Sequence, residues 1–387
     1  MNKHDTFFFL LPHILLLLLM PTAHAQDFPL PLSGDLLAYT DQTNDAIYLY
    51  DLQTDTTRPL QMGMGLHHVW DFSPDGCRLL YTLTDNTRTT RLYSAALDGT
   101  DARELIDTTE LPLGPWNLWE PDWNPTQPLI AFTLTRPTEQ GRETRVAYVP
   151  ATGGTPTFYS VAGDEHAPRW SPDGAWLAYL SYEPRPAGAT LFATVEPAAE
   201  ETAPTLREAD LWMVSADANT KERLTRFSVG SVGQPRWSPD GSLLSFVYAP
   251  SANDHQFWMI AAAPDAIPTQ LSYEWNYTLD LAWQPDGTAL TAATRYLQGT
   301  EDAQLWRVPL AGNADVDATR FFEATALAQT SADFPRYSVD GERLAFRASY
   351  ELVIVDLETN AATRLGTYGN TPPVWSPAGF AGEEACA

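Results

Sequence analysis

Seven times along this chain, an aromatic or apolar residue and a polar residue lead into a turn that separates two strand-forming runs. The fullest copy is Arg169-Trp-Ser-Pro-Asp-Gly-Ala-Trp-Leu-Ala-Tyr-Leu180, and related copies surround Ser73, Asn124, Ser238, Gln284, Ser338 and Ser376. Proline presets φ at about −65° at the first corner of a turn, Asp bonds to the backbone ahead, and Gly accepts positive φ. Pro74-Asp75-Gly76, Pro172-Asp173-Gly174, Pro239-Asp240-Gly241, Pro285-Asp286-Gly287 and Asp340-Gly341 therefore read as hairpin turns. The third copy departs most, with Asn124-Pro-Thr-Gln-Pro128, and the last has Ala378 where Asp is usual.

A strand with strict alternation follows each turn. Leu37, Leu79, Ile130, Leu177, Leu244, Leu290 and Leu344 form one column, and Tyr39, Tyr81, Phe132, Tyr179, Phe246, Ala292 and Phe346 follow two residues later. Side chains two apart share a sheet face, so both columns point into one packed layer. A third strand and a more polar fourth strand close each unit, and polarity suits an outer edge that meets water. Four antiparallel strands repeated seven times predict an all-β, seven-bladed β-propeller. The first repeat, from Ser33 to Leu60, lacks an inner strand, whereas Pro373 to Ser376 is an inner strand with nothing after it. The C-terminal strand is thus expected to complete the N-terminal blade and close the ring. No single blade buries both of its faces, so residues 26–387 read as one domain.

These Trp-Ser-Pro-Asp-Gly copies, followed by Leu-Ala-Tyr or Leu-x-Phe, resemble the repeats of the TolB-like, WD-repeat-like bacterial propellers. The resemblance covers nearly all of the chain after residue 25. That repeat serves binding proteins, propeller domains of prolyl oligopeptidase-like enzymes and some lyases, so it speaks to fold more than to function.

The first 25 residues read as a cleaved secretory signal. Lys3 supplies a positive start, Phe7 to Met20 is apolar, and Ala23-His-Ala25 is a small-x-small cleavage site. The apolar run is shorter than the roughly 20 residues a membrane span needs, so no transmembrane anchor is expected. The expected address is the periplasm or the outside of the cell. The net charge of −26 repels phosphate backbones, and no basic stripe reverses it, which excludes nucleic acid as a partner. The longest connection, residues 183–209, is rich in Pro, Ala and Glu and reads as a mobile insertion.

The resemblance implies that the face carrying the inner-strand entries holds the binding site. Five residues before the serine position of each repeat stand His68, Trp119, His166, Gly233, Leu279, Asp333 and Thr371; one residue further back stand His67 and Glu165. After residue 25 the chain has four histidines; His67, His68 and His166 fall on this rim, and His255 follows Asp254 on the same side. Imidazole beside carboxylate suits zinc or manganese and can move protons near neutral pH. The rim binding set is accordingly His67, His68, Trp119, Glu165, His166, Asp254, His255 and Asp333. If a divalent metal binds, its candidate ligands are His68, His166 and Glu165. No His-Glu-x-x-His spacing supports a metal, and no cofactor is expected.

Two residues before the serine position stand Asp71, Asp122, Arg169, Arg236, Ala282, Arg336 and Val374, an order that suggests ion pairs between adjacent inner strands. Cys77 lies in the second blade and Cys386 beyond the closing strand of the first, so the two either form a disulfide or remain thiols. No Gly-x-Ser-x-Gly elbow occurs, and Gly63-Met-Gly65 leads into a strand rather than a helix. The expected function is an exported, non-catalytic scaffold that binds a protein or carbohydrate on the rim face, with Trp116, Trp119 and Trp275 as anchors. The alternative is a metal-assisted lyase or hydrolase using His67, His68, Glu165 and His166.

Overall fold

Hairpins built on Ser-Pro-Asp-Gly recur at the same place in blade after blade. The computed structural model describes residues 32–41, 43, 45–60, 64–111, 116–139, 141–159, 164–182, 209–227, 229–251, 254–272, 277–295, 303–311, 318–321, 331–367 and 371–386. The first 25 residues, expected to be a signal, and residues 183–208 of the expected insertion lie outside them. In each turn the serine hydroxyl donates to the Asp carboxylate, as in Ser238 to Asp240 at 2.6 Å, and the same carboxylate accepts the Ser242 N–H at 3.0 Å. Gly241 sits at φ 72°, where a side chain would be strained. In blade three Asn124 replaces this device: its side-chain oxygen accepts the Thr126 and Gln127 amides at 2.9 and 2.8 Å.

Seven four-stranded antiparallel blades form the propeller, spanning Leu32–Ala387. Blade two is Leu66–Phe72, Arg78–Thr84, Thr90–Ala96 and Arg103–Ile106, from the innermost strand outward. Blade three is Asn117–Trp123, Leu129–Thr138, Gly141–Pro150 and Thr157–Phe158. The inner strands of blades four to seven are Glu165–Trp170, Ser231–Trp237, Tyr277–Trp283 and Ala332–Tyr337. The sheets of blades five and six also touch through one parallel pairing, His255 with Tyr277.

Blade one closes the ring. Its inner strand is Val374–Trp375, paired antiparallel to Leu36–Asp41 with Leu37 opposite Trp375. Ser376 extends the join, its hydroxyl accepting the Leu36 N–H at 3.1 Å and donating to the Gly34 carbonyl at 2.9 Å. Beyond it, Cys386 is bonded to Cys77 of blade two with the Cα atoms 5.4 Å apart, and Glu383 pairs with Arg58 at 3.2 Å. The tail therefore ties blade one to blade two by a covalent bond and an ion pair.

The two predicted columns are the core between blades. Every member, from Leu37 and Tyr39 to Leu344 and Phe346, is buried. The motif tryptophans add hydrogen bonds from blade to blade. The indole N–H of Trp237 donates to the Arg169 carbonyl at 2.9 Å, that of Trp283 to Arg236 at 3.1 Å, and that of Trp375 to Arg336 at 3.0 Å. Each bond satisfies a carbonyl of the preceding inner strand, which explains why the repeat uses Trp and not merely any large apolar residue.

The charges near the axis pair differently from the sequence expectation. Asp71 and Asp122 accept backbone amides of the next blade, from Trp123 at 3.1 Å and Trp170 at 2.7 Å. The carboxylate between Arg236 and Arg336 belongs instead to Asp280, 2.8 and 2.9 Å away. Burial raises the Asp280 pKa, but the two guanidiniums outweigh it and the net shift is downward. Burial and the neighbouring Asp122 push Asp71 up to about 8.

Candidate functional site

A cavity of about 560 Å³ opens on the face where the inner strands begin. Four members of the sequence-derived ring, His68, Trp119, His166 and Thr371, line it together. They meet because the same count back from each turn reaches the same height on each inner strand. Of the other lining residues, Trp70 and Glu120 come from the same inner strands, and Thr133, Thr135, Arg142, Thr144 and Tyr182 from the hairpins outside them.

Aromatic surface dominates the cavity. Trp119 is 46% exposed, the His166 ring stacks on Tyr182 with centroids 5.0 Å apart, and His68 lies 6.5 Å from Trp70. Burial lowers the pKa of both His68 and His166, which favours neutral imidazoles at neutral pH. Glu120 is tied to the next blade, its carboxylate accepting the Ala167 N–H at 3.1 Å.

The remaining predicted rim residues point elsewhere. Alternation along a strand sends neighbours to opposite faces. His67 is buried, and its Nδ1 lies 2.9 Å from the Asp45 carbonyl. Glu165 is buried with Lys221 at 3.5 Å, so it does not join His68 and His166. Among the described residues, no group of three or more His, Cys, Asp or Glu is arranged to hold a metal ion. Asp333 is paired with Arg347, and Asp254 accepts a bond from Gln256 at 3.2 Å. His255 sits at the junction of blades five and six. Trp116 is core rather than anchor, at 2% exposure beneath the Arg136 guanidinium, and Trp275 lies outside the described residues.

Sequence reasoning missed Glu120, Arg142 and Tyr182. The hairpin that carries Arg142 has two ten-residue strands, the longest among the described residues, and only the hairpin of Leu243–Ser251 and Asp254–Ala261 comes near it in length, so the seven-fold count does not reach its tip.

No family model matches the chain. An uncharacterized protein of Agrobacterium fabrum is 27% identical over 154 residues, covering 37% of this chain and 49% of that protein. The chain thus spans about half the length of the curated relative it matches. TolB from Acinetobacter baumannii superposes with a TM-score of 0.50 at 13% identity, over 89% of this chain and 66% of that one. The fold is that of the TolB-like propellers. The dihydro-heme d1 dehydrogenase NirN, solved in complex with DHE, superposes with a TM-score of 0.54 at 11% identity, over 89% of this chain and 76% of its own. A TolB-like ring is therefore shared with proteins of different function, and these likenesses concern the fold alone.

Proposed function

We propose that this chain is an exported, non-catalytic binding propeller that holds a segment of a partner protein on its inner-strand-entry face. The observation that carries the reading is where its apolar surface lies. Of the exposed large hydrophobic residues, Met64, Leu66, Trp119, Val229 and Tyr350 stand on the rim formed by loops entering inner strands and by hairpins joining second to third strands. Among the described residues only Ile267 and Val339 lie on the opposite rim. Exposed apolar residues on the rim that also carries an aromatic-lined cavity, with Trp119 in both, are what a protein-binding face needs, Trp being a favoured anchor. Export is supported by the apolar segment from Phe7 to Met20 and the Ala23-His-Ala25 site. Among the described residues no helix is long and apolar enough to cross a membrane.

The test places a photo-crosslinking aromatic residue at Trp119 in one variant and at Ile267 in another. Each is exposed to an extract of the producing cell's envelope. A discrete adduct from position 119 that the unmodified protein competes away, with none from 267, is the expected result. Equal labelling from both positions, or no adduct from 119, refutes the reading.

A further inference from the structure

We propose that Arg142 gives the rim cavity an anion subsite, which takes a carboxylate carried by a peptide beside an aromatic side chain. The proposal rests on the binding function above and names the chemistry of the segment bound. Its starting point is a mismatch of charge. The chain holds 49 acidic and 23 basic residues, so a basic side chain finds an acidic partner easily. Arg136 and Arg145, close by in sequence, both pair with Glu143 at 2.5 Å. Arg142 has no hydrogen bond or ion pair among the described residues, although it lines the cavity.

The pairing register explains how it is kept apart. Arg142 lies opposite Pro137, and Thr144 lies opposite Thr135, so these side chains share one face of the hairpin with Thr133. That face turns toward the cavity. Arg136, Glu143 and Arg145 occupy the other face. Of the acids on the cavity side, Glu120 accepts the Ala167 N–H through one oxygen and Asp164 accepts the Thr144 hydroxyl, and neither is within ion-pair distance of Arg142. The hairpin thus leaves an exposed guanidinium at the cavity without a partner among the described residues, and a guanidinium matches a carboxylate in a two-bond fork.

Two further features narrow the ligand. The strongly acidic chain repels free anions, so an anion bound here must bring favourable contacts of its own. The stacked His166 and Tyr182 rings, Trp70 and Trp119 offer those contacts to an aromatic group. A volume of about 560 Å³ falls in the range of sites for multi-group ligands, with room for an aromatic residue and its neighbours. Thr133, Thr135 and Thr144 add hydroxyls that can bond to peptide amides.

The experiment measures, by calorimetry, binding of a short Gly-Ser peptide ending in tryptophan with a free carboxylate, and of the same peptide as its amide. The wild-type protein should bind the carboxylate form about tenfold more tightly, an advantage that weakens with added salt. Arg142→Gln should bring the two forms within about twofold while leaving the melting temperature unchanged. Arg142→Lys, a point charge without the fork, should keep part of the preference. Equal binding of both forms by the wild type, no binding of either at millimolar concentration, or an undiminished preference in Arg142→Gln each overturns the subsite. N-acetyl-tryptophan binding as tightly as the peptide overturns the assignment to a peptide. A crosslink from position 119 that persists in Arg142→Gln would leave the binding face standing if the anion subsite fails.

Discussion

Removing the Asp280 carboxylate should destabilise the ring more than any other single change near its axis. Asp280 is almost fully buried and stands between Arg236 and Arg336 at 2.8 and 2.9 Å. With charge centres about 4 Å apart and an effective dielectric of about 20, each attraction is worth about 4 kcal/mol before desolvation. The two guanidiniums repel each other, and their burial opposes the charged state, since desolvation is the largest cause lowering Arg236 to about 10. Asp280→Ala leaves both charges without their counterion, and breaking a buried pair from one side typically costs about 3–5 kcal/mol. An unfolding entropy of about 2.1 cal/mol/K per residue gives roughly 0.75 kcal/mol/K for a unit of about 350 residues. The melting temperature should therefore fall by roughly 4–7 °C. Because the Asp280 pKa is lowered, its stabilisation is present above the unfolded value of about 3.9 and is lost as pH falls through the folded value. The deficit of the variant should be constant from about pH 5 to 8 and shrink in stronger acid. Calorimetric melts of Asp280→Ala, Arg336→Met and the double variant supply a cycle. The double variant should lose less than the sum, because Arg336→Met removes one of the stranded charges. A melting point within about 1 °C of wild type for Asp280→Ala, or strict additivity, would refute this account.

Reduction of the Cys77–Cys386 bond, or Cys386→Ser, should lower the melting temperature by several degrees: the bond spans 309 residues of sequence, for which the loop-entropy model gives at most about 6 kcal/mol. Identical melts with and without reductant would show that the closing strand alone secures the tail. Trp283→Phe should cost about 1–3 kcal/mol beyond its lost volume, since the buried Arg236 carbonyl loses its indole donor; Trp170→Phe, whose indole nitrogen has no partner, should cost less, as urea melts can decide. Asp71, pushed up to about 8, holds a proton that the unfolded chain releases near pH 4, so stability should decline from about pH 4 to 8 and level off above. Asp122→Asn removes the neighbouring charge, the lesser cause after burial, and should make that decline shallower without abolishing it in urea melts between pH 5 and 9.

Repetition explains what could be read from residues alone and what could not. The core columns, the turns and the closing strand follow from patterns that return in every blade, so one copy interprets the others. The ring count also brought His68, Trp119, His166 and Thr371 to one cavity, because equal spacing from equivalent turns means equal height. Two kinds of feature escaped. Arg142 lies near the tip of a hairpin whose length varies from blade to blade, where repeat phase gives little guidance. The axial charges failed for a subtler reason. Each inner strand but the last carries a register shift, and in blades three, four, five and seven the residue at the shift adopts positive φ: Glu120, Ala167, Gln234 and Phe334. None is glycine, but each stands directly before a proline (Pro121, Pro168, Pro235 and Pro335), and a proline inside a strand is itself a mark of a bulge that the charge count left unused.

The bulge also accounts for where the acids go. In blade six the register shifts between Thr278 and Asp280, at the height where blades three and four place Glu120 and Ala167. A bulge leaves backbone unpaired and re-aims the side chain beside it. Glu120 uses that freedom to accept the Ala167 N–H of the next blade, and Asp280 uses it to reach two arginines. The two carboxylates thus occupy one structural position with different partners. Where Ala167 stands, no side chain can reach across, and the neighbouring His166 faces the open cavity beside Arg142. In the six inner strands that carry it, the bulge therefore separates an upper part that supplies the cavity-lining side chains from a lower part held by blade-to-blade bonds of the tryptophans and Asp280. Substitutions above it, at His68, Trp119 or His166, should alter ligand affinity with little change in melting temperature. Those below it, at Asp280 or Trp283, should do the reverse, and a variant of either class that moved both quantities together would contradict the division.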